Sequence, residues 1–257
     1  METVQVLVSY KTIVRREVVR FIRIWTQTVL PPVITTTLYF LIFGKLIGPR
    51  IGNIGEYTYI QYIVPGLIMM SIITNSYANV VSSFYGAKFQ RNIEEMLVSP
   101  TPSYVIILGF ACGGIARGLC VGTAVTLVSM FFTDLHIHHI FVVLTTALLT
   151  AMLFSLAGLV NAIFANSFDD INIVPTFVLT PLTYLGGVFY SVSMLPDFWR
   201  HASLVNPILY MVNAFRYGLL GISDIPLLLS YAIILLFIGV LYCLNLYLMN
   251  RSTGLRS

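Results

Sequence analysis

"YTYIQYIVPGLIMMSIITNSYANVVSSFYGAKFQRNIEEMLVSP", residues 57–100, changes character once. No charged side chain occurs from Tyr57 to Ala87, and then Lys88, Arg91, Glu94 and Glu95 crowd into about two helical turns. A spanning helix needs ~20 consecutive apolar residues, so the first part predicts a membrane span and the second a charged island where the chain leaves the bilayer. Within the island, Phe89, Ile93, Met96 and Leu97 recur at helical spacing opposite Lys88, Arg91, Asn92, Glu94 and Glu95. The expected element is a short amphipathic helix over about 87–98. Ser99-Pro100 ends it, because the residue before proline is disfavoured in a helix, and Thr101-Pro102 opens the next one.

The same alternation holds along the whole chain. Of its 257 residues, 58% are hydrophobic and 9% charged, with a mean hydropathy of +0.89, which excludes a soluble globular domain. Charge-poor runs predict an all-α integral membrane protein with about six spans, near 25–46, 58–84, 103–132, 140–164, 171–190 and 226–249. With the N-terminus inside, Lys11, Arg15, Arg16, Arg20, Arg23, Lys88, Arg91, Arg251 and Arg256 are cytoplasmic, and Lys45, Arg50, Arg200 and Arg216 are outside. Basic residues are retained on the cytoplasmic side, so both termini and the island are read as cytoplasmic. A cleavable signal peptide is not expected, because the basic N-terminal region leads into a full-length span.

Before the first span, Tyr10, Ile13, Val14, Val18, Phe21, Ile22 and Trp25 form an apolar stripe bordered by Lys11, Arg15, Arg16, Arg20 and Arg23. That pattern predicts a helix over about 8–24 lying in the membrane interface, its basic side toward lipid phosphates. Residues 191–224 are too apolar for a free loop, yet Pro196 and Asn206-Pro207 cut them into pieces too short to cross. They are read as re-entrant helices capping the outer end of a cavity, with Asn206, Pro207 and Arg216 in the cap.

Chemistry is sparse. Cys112, Cys120 and Cys243 have no metal-ligand spacing and are read as apolar packing. "LHIHHI" brings His136, His138 and His139 together without another strong ligand pattern, so no metal is assigned. The G-x-x-x-x-G-K-[ST] pattern is absent, and no cofactor is expected on this chain. Carboxylates are read at span edges or in loops, which counts against proton-coupled transport. Arg117, the charge placed within a span, costs at least ~2.5 kcal/mol at the bilayer centre and needs a partner or a polar path. Glycines at 109, 113, 114, 118 and 122 flank it at small-xxx-small spacing. Either Arg117 faces a transport path and holds an anionic group, or it has a structural partner.

The basic interfacial helix, "YGAKFQRNIEEMLVSP", "TFVLTPLTYLGGVFYS" and "NPILYMVNAFRYGLLG" together resemble the permease subunit of a type-2 ABC exporter. The likeness is nearest to the YadH-like bacterial inner-membrane permeases, related to NodJ. It covers essentially the whole chain, and "VLPPVITTTLYFLIFG" with "YIVPGLIMMSIITNSYANV" adds to it. The resemblance implies that the island is a coupling helix. Lys88, Arg91, Asn92, Glu94 and Glu95 would then contact a separate ABC ATPase that carries the ATP and Mg. Arg15, Arg16, Arg20, Asp169 and Asp170 would be a second contact, with a solvated cap of span five as the equal reading for the two aspartates.

The resemblance further implies two ATPase copies and a second permease copy, most simply a homodimer, since the chain shows no internal repeat of its six-span unit. The path would run between copies beside spans two and five. Asn75, Asn79, Arg117, Tyr184, Phe189 and Tyr190 are its candidates, with helix packing or an interfacial aromatic belt as the alternative. Partners are therefore the ATPase, the second copy, lipid and a drug, lipid or saccharide substrate, with no nucleic acid. A gradient-driven transporter or channel is the rival class, and a membrane anchoring protein the weaker one.

Overall fold

The computed structural model describes residues 3–99 and 101–251; Pro100, Arg256 and the side chain of Leu97 lie outside the described residues. Helix α1 runs from Thr3–Arg23 and meets α2, Trp25–Ile51, at Ile24. Pro31 and Pro32 sit inside α2, and its backbone widens into a π turn over Phe40–Ile47. A two-residue hairpin pairs Asn53–Ile54 with Tyr57–Thr58, after which α3 spans Tyr59–Phe89. Gln61 Oε1 closes its first turn by accepting from Thr58 N and Oγ1, at 3.0 and 2.9 Å. There follow α4 (Asn92–Val98), α5 (Ser103–Ser129) and α6 (Ile140–Phe164).

The fifth expected span takes a different form. Residues 170–185 make α7 in three consecutive pieces of 5, 5 and 6 residues, the middle one a π turn beginning at Pro175. At ~1.5 Å per residue α7 is about 24 Å long, short of the ~30 Å hydrocarbon core. Hydropathy over 171–190 misses this, because Pro175 and Pro181 disturb backbone bonding without lowering apolarity. Beyond α7 come α8 (Asp197–Leu204), α9 (Pro207–Leu220) and α10 (Leu227–Arg251). Among the described residues, five helices are long and apolar enough to cross a membrane: α2, α3, α5, α6 and α10.

Helix α3 is the centre of the bundle. Of its most apolar window 83% is buried, against 11% for α2 and 17% for α10, which therefore form the rim. Its principal partners are α5 and α6, while α1 lies against α5, and α9 fits between α3, α6 and α10. The glycines of α5 divide between two faces. A side-chain carbon at Gly118 would strike Ser76 of α3, and one at Gly113 would come within 2.5 Å of Glu17 Cβ on α1.

Side-chain bonds sort the connections to two ends. Ser103 Oγ meets Asn250 Oδ1 at 2.7 Å and Phe168 packs on Phe89 at 5.1 Å, gathering the island, the α6–α7 loop and the last turn of α10 at one pole. At the other pole Tyr57 Oη donates to Leu220 O at 2.5 Å and Tyr59 Oη to Phe189 O at 3.1 Å. The chain therefore changes poles between Phe168 and Phe189, short α7 notwithstanding.

Candidate functional site

The island divides between two helices. Instead of one helix over 87–98, α3 continues to Phe89 and the chain turns at Gln90 and Arg91 before α4 begins. Arg91 has φ 61°, the left-handed conformation that commonly ends a helix and that costs a residue with a Cβ about 1–2 kcal/mol. In α4, Ile93 is buried against the bundle and Met96 half-buried, while Asn92, Glu94 and Glu95 are exposed, as is Arg91 in the turn. Lys88 departs from the expected contact face. It belongs to α3, and its Nζ donates to Ile163 O at 2.9 Å and Ala165 O at 2.8 Å, closing the C-terminus of α6.

The α6–α7 loop lies beside this surface. Phe168 packs edge-on against Tyr85 at 4.9 Å and against Phe89. Asp169 is exposed next to it. Asp170 instead ties up its own loop, its Oδ2 accepting from Asn166 N and Ser167 N at 2.9 and 3.0 Å. Those bonds, led by the Asn166 amide, hold its carboxyl below the usual carboxylate range. Asp170 is thus a loop-capping residue, and Asp169 is the acid displayed.

A second polar cluster was not anticipated. Ile13, Glu17 and Phe21 are the buried residues of α1, and Glu17 has 0% exposure. Its carboxylate accepts from Ser83 Oγ at 2.7 Å and pairs with Arg16 and Arg20, each at 3.3 Å. Arg20 also reaches Asn79 O at 3.0 Å and Asn79 Oδ1 at 2.8 Å. The acid occupies the i+4 position between Ile13 and Phe21, so the signal was an acid in the apolar stripe, with an arginine three residues on.

Arg20, expected in a second cytoplasmic contact, and Asn79, expected beside the path, thus bond to each other between α1 and α3. Arg117 lies on the same side, near enough to Arg20 for their charges to repel, half-buried and with its Nε lacking a hydrogen-bond partner. Arg15 and Arg16 stay exposed.

Toward the opposite pole, α2 and α3 bound a cleft of about 260 Å³ lined by Thr35, Thr36, Tyr39, Ser71, Thr74 and Asn75. Asn75 is buried and donates to Ser71 O at 3.0 Å. At its mouth the Tyr39 and Tyr184 hydroxyls meet at 3.4 Å, and Phe189 stacks on Tyr184 at 5.6 Å and packs on Phe43 at 5.1 Å. Tyr190 is half-buried nearby in sequence.

The segment beyond is tied to the bundle by polar side chains. Asn206 caps α9 by accepting from Ile208 N at 3.0 Å and donates to Leu182 O at 2.6 Å, with Pro207 at the first helical position. Arg216 is 1% exposed; it donates to Gly187 O at 2.6 Å and lies 4.1 Å over the Tyr62 ring. It therefore clamps α9 to α3 from inside the bundle.

A central apolar span leads into a displayed polar helix at one pole, and short helices close the other. The chain belongs to the ABC-2 type transporter family, whose profile matches residues 8–220. It is thus an all-α integral membrane protein of that family. Among its relatives is "Inner membrane transport permease YadH" of Escherichia coli (strain K12), 59% identical over 250 residues that cover 97% of this chain and 98% of the relative. More distant is "Nodulation protein J" of Rhizobium leguminosarum bv. viciae, 22% identical over 215 residues covering 83% of each chain.

Proposed function

We propose that this chain is the permease subunit of an ATP-driven exporter in a bacterial inner membrane, with both termini and α4 on the cytoplasmic side. The single observation that carries the reading is α4 itself. It is a seven-residue helix that buries Ile93 in the bundle and presents Asn92, Glu94 and Glu95 outward, with Arg91 exposed at the turn that begins it. Mixed-sign charge suits a protein partner better than a lipid surface, which would select basic residues.

The partner proposed is an ABC ATPase, in two copies, carrying the ATP and Mg that this chain does not bind. Its closure would push α4, and the push would enter the bundle at two points. Ile93 is seated in the core, and Lys88 bolts the end of α3 to the end of α6. Because α3 is the most buried span, displacing its end moves the packing of α5 and α6 with it. Asp169 and Phe168 would complete the docking surface.

A second permease copy would complete the path, the simplest assembly being a homodimer. Each copy would contribute the cleft between α2 and α3, with Asn75 inside and Tyr184, Phe189 and Tyr190 toward its outer mouth. Its lining sets hydroxyls, one amide and the Tyr39 ring beside Pro31, Pro32, Leu67 and Met70, which suits an uncharged or amphipathic cargo such as a drug, lipid or glycan. Asn79 and Arg117, held toward α1, are left out of the path.

Co-purification of the detergent-solubilised chain with candidate ATPases tests the proposal. Wild type is expected to retain an ATPase, and Glu94→Lys/Glu95→Lys to lose it while remaining folded. Substrate flux that follows an ion gradient with no ATPase bound would replace this reading with gradient-driven transport.

A further inference from the structure

Four arginines of α1 converge on one cavity. Arg15, Arg16, Arg20 and Arg23, with Thr12 and Val19, occupy a single helical face lining a pocket of about 780 Å³. The facing wall is the last turns of α3, Ser82, Ser83, Gly86 and Ala87, together with Gln90 and Asn92 at the root of α4. Glu17 is the one acid among the lining residues, and it already pairs with Arg16 and Arg20. Arg15 and Arg23 have no acidic partner among the described residues, and Arg20 Nε is buried with no hydrogen-bond partner. Guanidiniums gathered this closely repel one another, and a tetrahedral oxyanion answers several at once through charge-assisted bonds.

The surroundings say which oxyanion. Val19, Ile24 and Ala87 give the pocket apolar walls, and beside it Ile22 and Trp25 are 54% and 63% exposed. A water-borne phosphate gains nothing from such walls. A phosphodiester attached to a glycerol and acyl chains fills both parts, with its charge among the arginines and its chains along the exposed apolar flank.

We propose that this pocket is a binding site for the headgroup phosphate of an anionic membrane phospholipid. The bound lipid balances the α1 arginines and bridges α1 to the end of α3 next to the turn into α4. The site holds one lipid between two elements, beyond a general attraction of basic helix to membrane. It also gives Arg15 and Arg16 an occupant other than the ATPase to which the resemblance assigns them.

The test measures the thermal midpoint of the purified chain in detergent as phosphatidylglycerol, phosphatidylcholine or inorganic phosphate is added, and the phosphatidylglycerol retained through washing. The variant is Arg15→Gln/Arg23→Gln, which leaves the Glu17–Arg20–Asn79 contact untouched. The control is Lys11→Gln/Arg251→Gln, which removes two charges outside the pocket. Phosphatidylglycerol alone is expected to raise the midpoint of wild type and control, and the pocket variant to lose lipid affinity on the order of tenfold. Equal loss in the control, equal response to phosphatidylcholine, or an equal effect of inorganic phosphate overturns the proposal. So does a pocket variant that keeps its lipid and loses a bound ATPase, since the pocket would then be a protein-docking surface.

Discussion

Two places in this chain concentrate charge, and they use it in opposite ways. At the island, Arg91, Glu94 and Glu95 stand exposed on a helix whose apolar side is seated in the bundle. Between α1 and α3, Glu17 is fully buried and is held by Ser83, Arg16 and Arg20. Displayed charges contribute little to stability and are free to meet a partner. A buried acid costs several kcal/mol unless its partners are in place, so its cluster fixes how α1 sits on the bundle. The difference separates charge displayed to solvent from a joint that holds α1 to the bundle.

The largest expected effect breaks the joint. Glu17→Ala leaves Arg16 and Arg20 without their acid and Ser83 without its acceptor, and should cost about 3 kcal/mol, read as a lowered thermal midpoint in detergent. Glu17→Gln, which keeps an acceptor for Ser83, should lose less. A Glu17→Ala variant as stable as wild type would show that the cluster does not hold α1.

Next comes Lys88, charged but inside the joint's class. Lys88→Met removes two bonds to the last carbonyls of α6 and should cost about 1–2 kcal/mol, with faster amide exchange at 163–165. An unchanged exchange rate would return Lys88 to the displayed set. Glu94→Lys/Glu95→Lys should shift stability by no more than about 0.5 kcal/mol, because both side chains are exposed, while abolishing ATPase retention.

The smallest effect is at Asp170. Its carboxyl pKa is lowered in the folded loop, so its contribution is present above the usual carboxylate pKa and fades as pH falls through the lowered value. Wild type should therefore lose a little stability in that acid range. Asp170→Asn should lose that part of the pH dependence, which thermal midpoints measured from pH 7 downward will show.

Much of this was legible in the sequence where apolarity and exposure govern. The run at 140–164 matches α6 end for end, and the four other long spans begin within a residue of their expected starts. Apolarity says nothing of backbone bonding, so the span expected at 171–190 hid a π turn and a helix of shorter reach. The island's helical spacing runs through Gln90 and Arg91 without a break, which concealed the turn that gives Lys88 to α3 and Glu94 to α4. Glu17 is hidden in an α1 stripe whose periodicity is carried by its apolar members. Its burial depends on Asn79 and Ser83, more than sixty residues away, and no local pattern brings them together.

The most direct measurement is ATP hydrolysis by the partner ATPase reconstituted in lipid nanodiscs with wild-type chain or with Glu94→Lys/Glu95→Lys. Turnover is expected to depend on the wild-type chain and to fall with the variant to that of the ATPase alone, at an unchanged thermal midpoint. Turnover and binding that are the same with either chain would contradict the account, and the displayed charges of α4 would then have no part in coupling.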